Sequence, residues 1–348
     1  MHCNTCGADI PPSASFCPEC GSPVVPSQPA VAESVAPQPA VTEPAVAEPA
    51  PSQPVAPPPP MSVPAPRTKK GRRGGVTLIL SILLMGLTLV FQVIGLIISE
   101  LGGLDLDACV TGFGALGGVV SLLILGGRRL LVPDAASFAR AWREGWWVVA
   151  VSIGLALFDI VATLVEGDTL VTEGWALRTL GLLGFCLAIG VYEESVFRGL
   201  MLGGGLDAFG KRKVGIIVIC VLTSIVFGMA HVTWGDLDYA NPLDVLQAVL
   251  KTIQTGTYGF FLASLVIRTN NILGAVTLHA LDDFFLMLPS VGLGGLELEA
   301  EYVSSGADAL PTVILYSVII VLYLPIVWRG VRMLAECDPP QLGAFHKA

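Results

Sequence analysis

From Gly75 onward the chain is a succession of long apolar runs, at approximately 76–99, 108–126, 145–165, 176–203, 214–231, 243–267, 271–289 and 310–328. About 20 apolar residues in helical form match the ~30 Å hydrocarbon core of a bilayer, and most of these runs are that long. The reading is an all-α polytopic membrane protein with about eight transmembrane helices, a membrane domain over 75–335 and a tail over 336–348. The run at 176–203 is longer than one upright span, which predicts a tilt or a break near Gly184 or Gly190. Charged residues make up only 14% of the sequence, where soluble domains usually have about 25%. An ordinary soluble domain is therefore excluded.

Fifteen of the 25 prolines lie between Pro23 and Pro66, so that average mixes a greasy body with a polar leader. Residues 23–74 are rich in Pro, Ala, Val and Glu without apolar periodicity, a composition that favours a disordered, extended linker over packed structure. Before it, residues 1–22 hold Cys3, Cys6, Cys17 and Cys20 in a C-x2-C-x10-C-x2-C pattern with Cys6-Gly7 and Cys20-Gly21 turns. Four thiolates so spaced close a tetrahedral shell around one zinc, which would supply most of the folding energy of so short a segment. A closed shell leaves no place for water, so this zinc ribbon is expected to be structural, with scaffolding or protein-partner docking as its role rather than catalysis. The other cysteines, Cys109, Cys186, Cys220 and Cys337, show no paired spacing, and a disulfide framework is not expected.

Charge gives the expected orientation. The linker ends in Arg67, Lys69, Lys70, Arg72 and Arg73, directly before the first apolar run. Placing that cluster in the cytoplasm puts Arg128, Arg129, Arg140, Arg143, Lys211, Arg212, Lys213, Arg268, Arg329 and Arg332 on the same side. The opposite loops, 100–107, 166–175, 232–244 and 290–309, hold thirteen carboxylates and no Lys or Arg. By the positive-inside rule both termini are cytoplasmic. The polar, cysteine-bearing start is not a cleavable signal peptide. The net charge of −9 comes mainly from the acidic loops, and no nucleic-acid partner is expected.

A charge in hydrocarbon needs a partner or a task. Such residues concentrate in three places: Glu193-Glu194-Ser195-Val196-Phe197-Arg198, Phe227-Gly228-Met229-Ala230-His231 and His279-Ala280-Leu281-Asp282-Asp283. Glu194 and Arg198, four apart, share a helical face and form an ion pair. Glu193 is rotated by about 100° from Glu194 and is left as an embedded carboxyl available for proton chemistry. The only histidines of the membrane body, His231 and His279, are both expected within apolar helices. Glu193 lies 18 residues before Lys211 and His231 18 residues after Lys213, so a hairpin turning at that loop holds them at matching depth. Asp283, one helical turn beyond His279, faces the same cavity; Asp282 is the weaker candidate. Gln247, Lys251, Gln254 and Tyr258 recur near helical spacing, either lining a water or peptide groove or packing against neighbours.

Glu193-Glu194-x-x-x-Arg198, Phe227-x-x-x-His231 and His279-x-x-x-Asp283, in this order on successive membrane helices, resemble the CAAX protease and bacteriocin-processing (CPBP, or Abi) family, over roughly 145–290. The resemblance implies an intramembrane endopeptidase acting on a peptide or membrane-protein substrate in the lipid bilayer. Carried over, Glu193 and His231 activate water, His279 with Asp283 orients or stabilises the tetrahedral intermediate, and Glu194 with Arg198 holds the first motif in place. The family's third motif often ends in Asn, whose amide donates to an oxyanion; Asp283 donates only when protonated, and otherwise orients His279 or ligates a metal.

Peptide hydrolysis without a nucleophilic Ser or Cys needs a base for water, an acid for the leaving amine and donors for the oxyanion. The expected chemistry is metal-free. Its alternative is a two-histidine, one-carboxylate zinc site at Glu193, His231 and His279. A rival class is a non-catalytic membrane scaffold or immunity-type protein that keeps the cluster for structure. A proton-relay transporter is disfavoured because inverted repeats are not evident.

Overall fold

A computed structural model describes residues 74–297 and 302–341. The expected zinc ribbon with Cys3, Cys6, Cys17 and Cys20, nearly all of the linker and the end of the C-terminal tail lie outside the described residues. Among the described residues every regular element is a helix. In chain order these are α1 (Gly74–Gly102), α2 (Leu106–Leu125), α3 (Ala135–Glu166) and α4 (Trp175–Glu193). The fourth run then continues through a π-helical segment (Glu194–Leu202) into α5 (Gly203–Phe209). There follow α6 (Lys213–Met229), α7 (Pro242–Thr269), α8 (Leu273–Met287) with a second π-helical segment (Leu288–Leu293), and α9 (Ala309–Ala335).

Six segments are long and apolar enough to cross a membrane: α1, α2, α3, Trp175–Phe209, Leu273–Gly294 and Gly306–Ala335. The two remaining runs fall short for different reasons. α6 has 17 residues, about 25 Å at helical rise, less than a full hydrocarbon core. α7 has 28 residues, but Asp244, Gln247, Lys251 and Gln254 make its first half polar. The protein is an integral membrane protein, and the polar half of α7 walls its polar site.

α1 shows the membrane setting residue by residue. Its buried positions are Thr77, Ser81, Thr88, Gly95 and Ser99, while Ile79, Ile82, Leu83, Leu89, Val90 and Val93 are exposed. Water penalises so continuous an apolar face. Lipid does not, because its tails are as apolar as Leu, and small or hydroxyl-bearing residues then pack helix against helix. Ser121 on α2, fully buried, donates to the Leu84 carbonyl of α1 at 3.1 Å. A more ordinary core of Leu122, Leu200, Phe227, Phe261, Leu278, Tyr323 and Ile326 fills the centre of the bundle.

Hydrogen bonds between loops define the two ends of the bundle. At one end the Ile272 N–H donates to the Leu130 carbonyl (3.1 Å), Asn271 Nδ2 to the Val132 carbonyl (2.7 Å), the Gln341 N–H to the Gly210 carbonyl (2.9 Å) and Lys213 Nζ to the Ala335 carbonyl (2.9 Å). At the other end the Thr172 N–H donates to the Leu293 carbonyl (3.1 Å). There, too, Gln247 exchanges two bonds with Ser304, Nε2 donating to its carbonyl (2.9 Å) and Oε1 accepting from its N–H (2.8 Å). The first end carries Arg128, Arg129, Lys211, Arg212, Lys213 and Arg268; the second carries Asp168, Glu173, Asp236, Asp238, Glu297 and Asp308. Arg178 is a cation near the acidic end, and its guanidinium is taken up by Thr172, the Glu173 carbonyl and, at 3.2 Å, the Leu293 carbonyl.

Candidate active site

The break in the fourth run falls where Glu193 closes α4 and Glu194 opens the π-helical segment, not at Gly184 or Gly190. π-Helical turns inside α-helices occur frequently at functional sites. Gly184 faces open space, whereas a Cβ on Gly190 would lie 2.8 Å from the Val276 carbonyl of α8. Gly190 therefore serves close packing, and that approach brings the start of the π-helical segment against α8.

Glu194 is fully buried there. Its Oε1 is ion-paired with Arg198 Nη1 at 2.9 Å and accepts from His279 Nδ1 on α8, also at 2.9 Å. Arg198 Nη2 donates to the Gly259 carbonyl of α7 at 3.3 Å, and its guanidinium lies 4.0 Å from the centre of the Phe227 ring on α6. The sequence predicts the ion pair but not its reach. One carboxylate and one guanidinium join the fourth run to α6, α7 and α8, and such added contacts offset part of the cost of burying the pair.

His231 is not inside a helix as expected but in the turn after α6, which ends at Met229. Ending the helix leaves the Phe227 carbonyl without its helical N–H, and His231 Nδ1 takes that place at 2.8 Å. A carbonyl only accepts, so Nδ1 bears the hydrogen and Nε2 of the neutral ring keeps a lone pair. The Glu194 carboxylate fixes His279 Nδ1 in the same sense. Phe227 packs edge-on against both rings, at 4.6 Å from His231 and 6.0 Å from His279.

Both free nitrogens point to one atom. His231 Nε2 is 3.6 Å and His279 Nε2 3.7 Å from Glu193 Oε2, and Asp283 Oδ2 is 3.6 Å from His279 Nε2. These separations exceed hydrogen-bond length, and Glu193 Oε2 has no hydrogen-bond partner among the described residues. All four side chains line a cavity of about 1090 Å³, with Lys251, Gln254 and Tyr258 of α7 on one wall and Tyr192, Phe185 and Ile189 of α4 on another. The helical stripe, which the sequence left as either groove lining or packing, thus supplies three of its four members to the cavity, while Gln247 is spent on Ser304. Glu193, His231 and Asp283 are 19%, 17% and 20% exposed at their side chains, against 3% for His279 and none for Glu194. The site therefore has an accessible front and a sealed back.

Asp282 also reaches the cavity wall, but its carboxylate is taken. Ser152 Oγ of α3 donates to it, and Tyr323 Oη of α9 lies 3.3 Å from both of its oxygens. Tyr302, which sequence reading missed because it sits in a loop, lines the same cavity, its ring 6.4 Å from that of His231 and 4.1 Å from Lys251 Nζ. Burial, with Asp283 and Glu193 nearby, pushes the Tyr302 phenol up to about 12, so it stays a hydroxyl donor at neutral pH. Among the described residues no three His, Cys, Asp or Glu side chains form a group able to hold a metal ion.

Residues 175–285 match the family described as Type II CAAX prenyl endopeptidase Rce1-like, and this stretch contains Glu193, Glu194, Arg198, His231, His279 and Asp283. Over this stretch, about a third of its length, the chain is similar to Rce1-like CAAX proteases. That likeness supports an intramembrane protease in kind. The matched stretch is supported from outside it, since Ser152 of α3 and Tyr323 of α9 hold Asp282 in place. Residues 2–24 match a zinc-ribbon domain, whose four cysteines fit a structural zinc. No curated protein and no solved structure matches the chain.

Proposed function

We propose that the protein is an intramembrane endopeptidase in which Glu193, with His231, activates the hydrolytic water and His279 with Asp283 faces the tetrahedral intermediate. The observation that carries this reading is the convergence of two Nε2 atoms on the unpartnered Oε2 of Glu193. A water held there gives a proton to Glu193 as its oxygen bonds to the scissile carbonyl carbon. The carbonyl electron pair moves onto oxygen, where donors at His279, once Nε2 also carries a proton, and at a protonated Asp283 meet it. Collapse restores the carbonyl and breaks the C–N bond, and Glu193 returns its proton to the leaving amine. His231, its Nδ1 fixed by the Phe227 carbonyl, holds the water and relays the proton. Glu194 acts through His279 as a positioning residue, with Arg198 holding Glu194.

The same reading places both termini in the cytoplasm and gives the zinc ribbon a docking role. Full-length protein in detergent is expected to cleave a membrane-protein substrate, and Glu193→Gln and His231→Ala to lower the rate by about 10²–10⁴-fold, the range for losing a general base. Cleavage unchanged in both variants refutes the mechanism and favours a scaffold. Metal content decides the catalytic type. One zinc per chain, lost in Cys3→Ser/Cys6→Ser, fits the metal-free reading; a second zinc, lost in His231→Ala, replaces it with zinc-dependent hydrolysis at Glu193, His231 and His279.

A further inference from the structure

The cavity has a side, and it is not the basic one. Its lining includes Ala230, Val232 and Thr233 after α6, and Ser290, Leu296 and Glu297 after α8, of which the exposed Ala230, Thr233, Leu296 and Glu297 mark its mouth. Both stretches belong to the acidic end of the bundle, tied together through Thr172, Leu293, Gln247 and Ser304. Among the described residues none of the basic-end loops, 127–134, 210–213, 268–272 or 335–341, contributes to the lining. The positions of the site residues along their helices agree. His231 lies at the acidic end of α6, two residues past its last helical residue, while His279 is six residues into α8 from the basic end. The polar half of α7, from Asp244 to Tyr258, is also its acidic-end half, and it carries the wall residues Lys251 and Gln254.

Orientation follows from charge. Arg128, Arg129, Lys211, Arg212, Lys213 and Arg268 mark the opposite end, and short loops rich in Lys and Arg stay in the cytoplasm. We propose that the catalytic cavity opens on the extracytoplasmic face, so that the substrate is a peptide segment presented at the outer surface of the membrane or in its outer leaflet. This rests on the hydrolytic reading above for the word substrate, but the sidedness stands on loop charge and cavity position alone.

The test uses the full chain in intact cells. Asp236→Cys in the loop after α6, Glu297→Cys at the cavity mouth and Lys211→Cys at the basic end place thiols at exposed positions. Each variant is treated with a membrane-impermeant maleimide, and the labelled peptide is identified by mass spectrometry. Asp236→Cys and Glu297→Cys are expected to label in intact cells, and Lys211→Cys only after permeabilisation. The reverse pattern overturns the proposal. So does labelling of Asp236→Cys without Glu297→Cys, which would mean that the mouth is closed to that side. Because the readout is labelling, an inactive protein still reports its sidedness, and the two readings fail separately.

Discussion

Glu194→Gln tests how the site is held together. The substitution keeps the shape of the side chain and removes its charge. In the native protein Glu194 Oε1 is shared between Arg198 Nη1 and His279 Nδ1, each at 2.9 Å, with Glu194 fully buried and Arg198 2% exposed at its side chain. Without that charge Arg198 keeps only the Gly259 carbonyl at 3.3 Å and the face of Phe227. Breaking a buried pair by removing one partner costs about 3–5 kcal/mol, because the other charge stays buried and unmatched. Replacing both partners by neutral groups of similar size is often near neutral. Reversible unfolding in mixed micelles should therefore find Glu194→Gln strongly destabilised and Glu194→Gln/Arg198→Met recovering most of the loss. The double variant should not recover activity, because the hydrogen bond fixing His279 is weakened in both, and losing such an orienting partner typically costs about 10–100-fold. A loss under about 1 kcal/mol in Glu194→Gln, the range of exposed pairs, would refute the argument, as would a double variant no more stable than the single one.

Gly228→Val should destabilise the protein by at least the ~1–3 kcal/mol of an overpacked core, read by the same unfolding assay, since a Cβ there would lie 2.3 Å from the Thr252 carbonyl of α7. Asp283→Asn distinguishes two roles for Asp283 through the pH dependence of cleavage. If its protonated carboxyl donates to the oxyanion, the amide donates at every pH and the alkaline fall in rate moves upward; if its carboxylate orients His279, the rate drops across the whole range. Lys251→Met removes a cation 4.1 Å from the Tyr302 ring and should cost no more than about 2 kcal/mol. Its signature is faster proteolytic nicking of the segment around Tyr302, and unchanged nicking would remove Lys251 from the support of that loop.

The parts of the site that follow from periodicity and embedded charge were legible in the sequence. Glu194 with Arg198, and Asp283 one turn from His279, needed only helical spacing, and the structure brings Glu193, His231, His279 and Asp283 around one cavity. What could not be read depends on where helices end and cross. The change to π-helical geometry at Glu194 leaves no Gly or Pro marker of its own, and the expectation of a tilt or a break near Gly184 or Gly190 is met only loosely, four residues past a Gly190 that the fold uses for packing. His231 looked helical because its surroundings are apolar, but the helix stops two residues earlier and the ring caps it. The Glu194 bond to His279 joins residues 85 apart in sequence, a long-range pairing that local pattern does not encode. Ser152 and Tyr323 were hidden for the same reason, since a serine and a tyrosine in apolar runs carry no signal until Asp282 is found between them.

The embedded polar groups divide by what ties them to other helices, and the division follows their position in the cavity. Glu194, Arg198 and Asp282, all buried, have hydrogen-bond partners on other helices, although Glu194 Oε2 and Arg198 Nη1 make no hydrogen bond among the described residues. Their burial is offset by those partners, and what they contribute is fixed geometry. Glu193 has an oxygen with none, and His231 and Asp283 reach it or His279 only at distances beyond a hydrogen bond. The gaps persist because each imidazole is held by its far nitrogen, His231 by a helix-end carbonyl and His279 by Glu194. The back of the site thus fixes both imidazoles, and the front keeps three separations of 3.6–3.7 Å across the cavity.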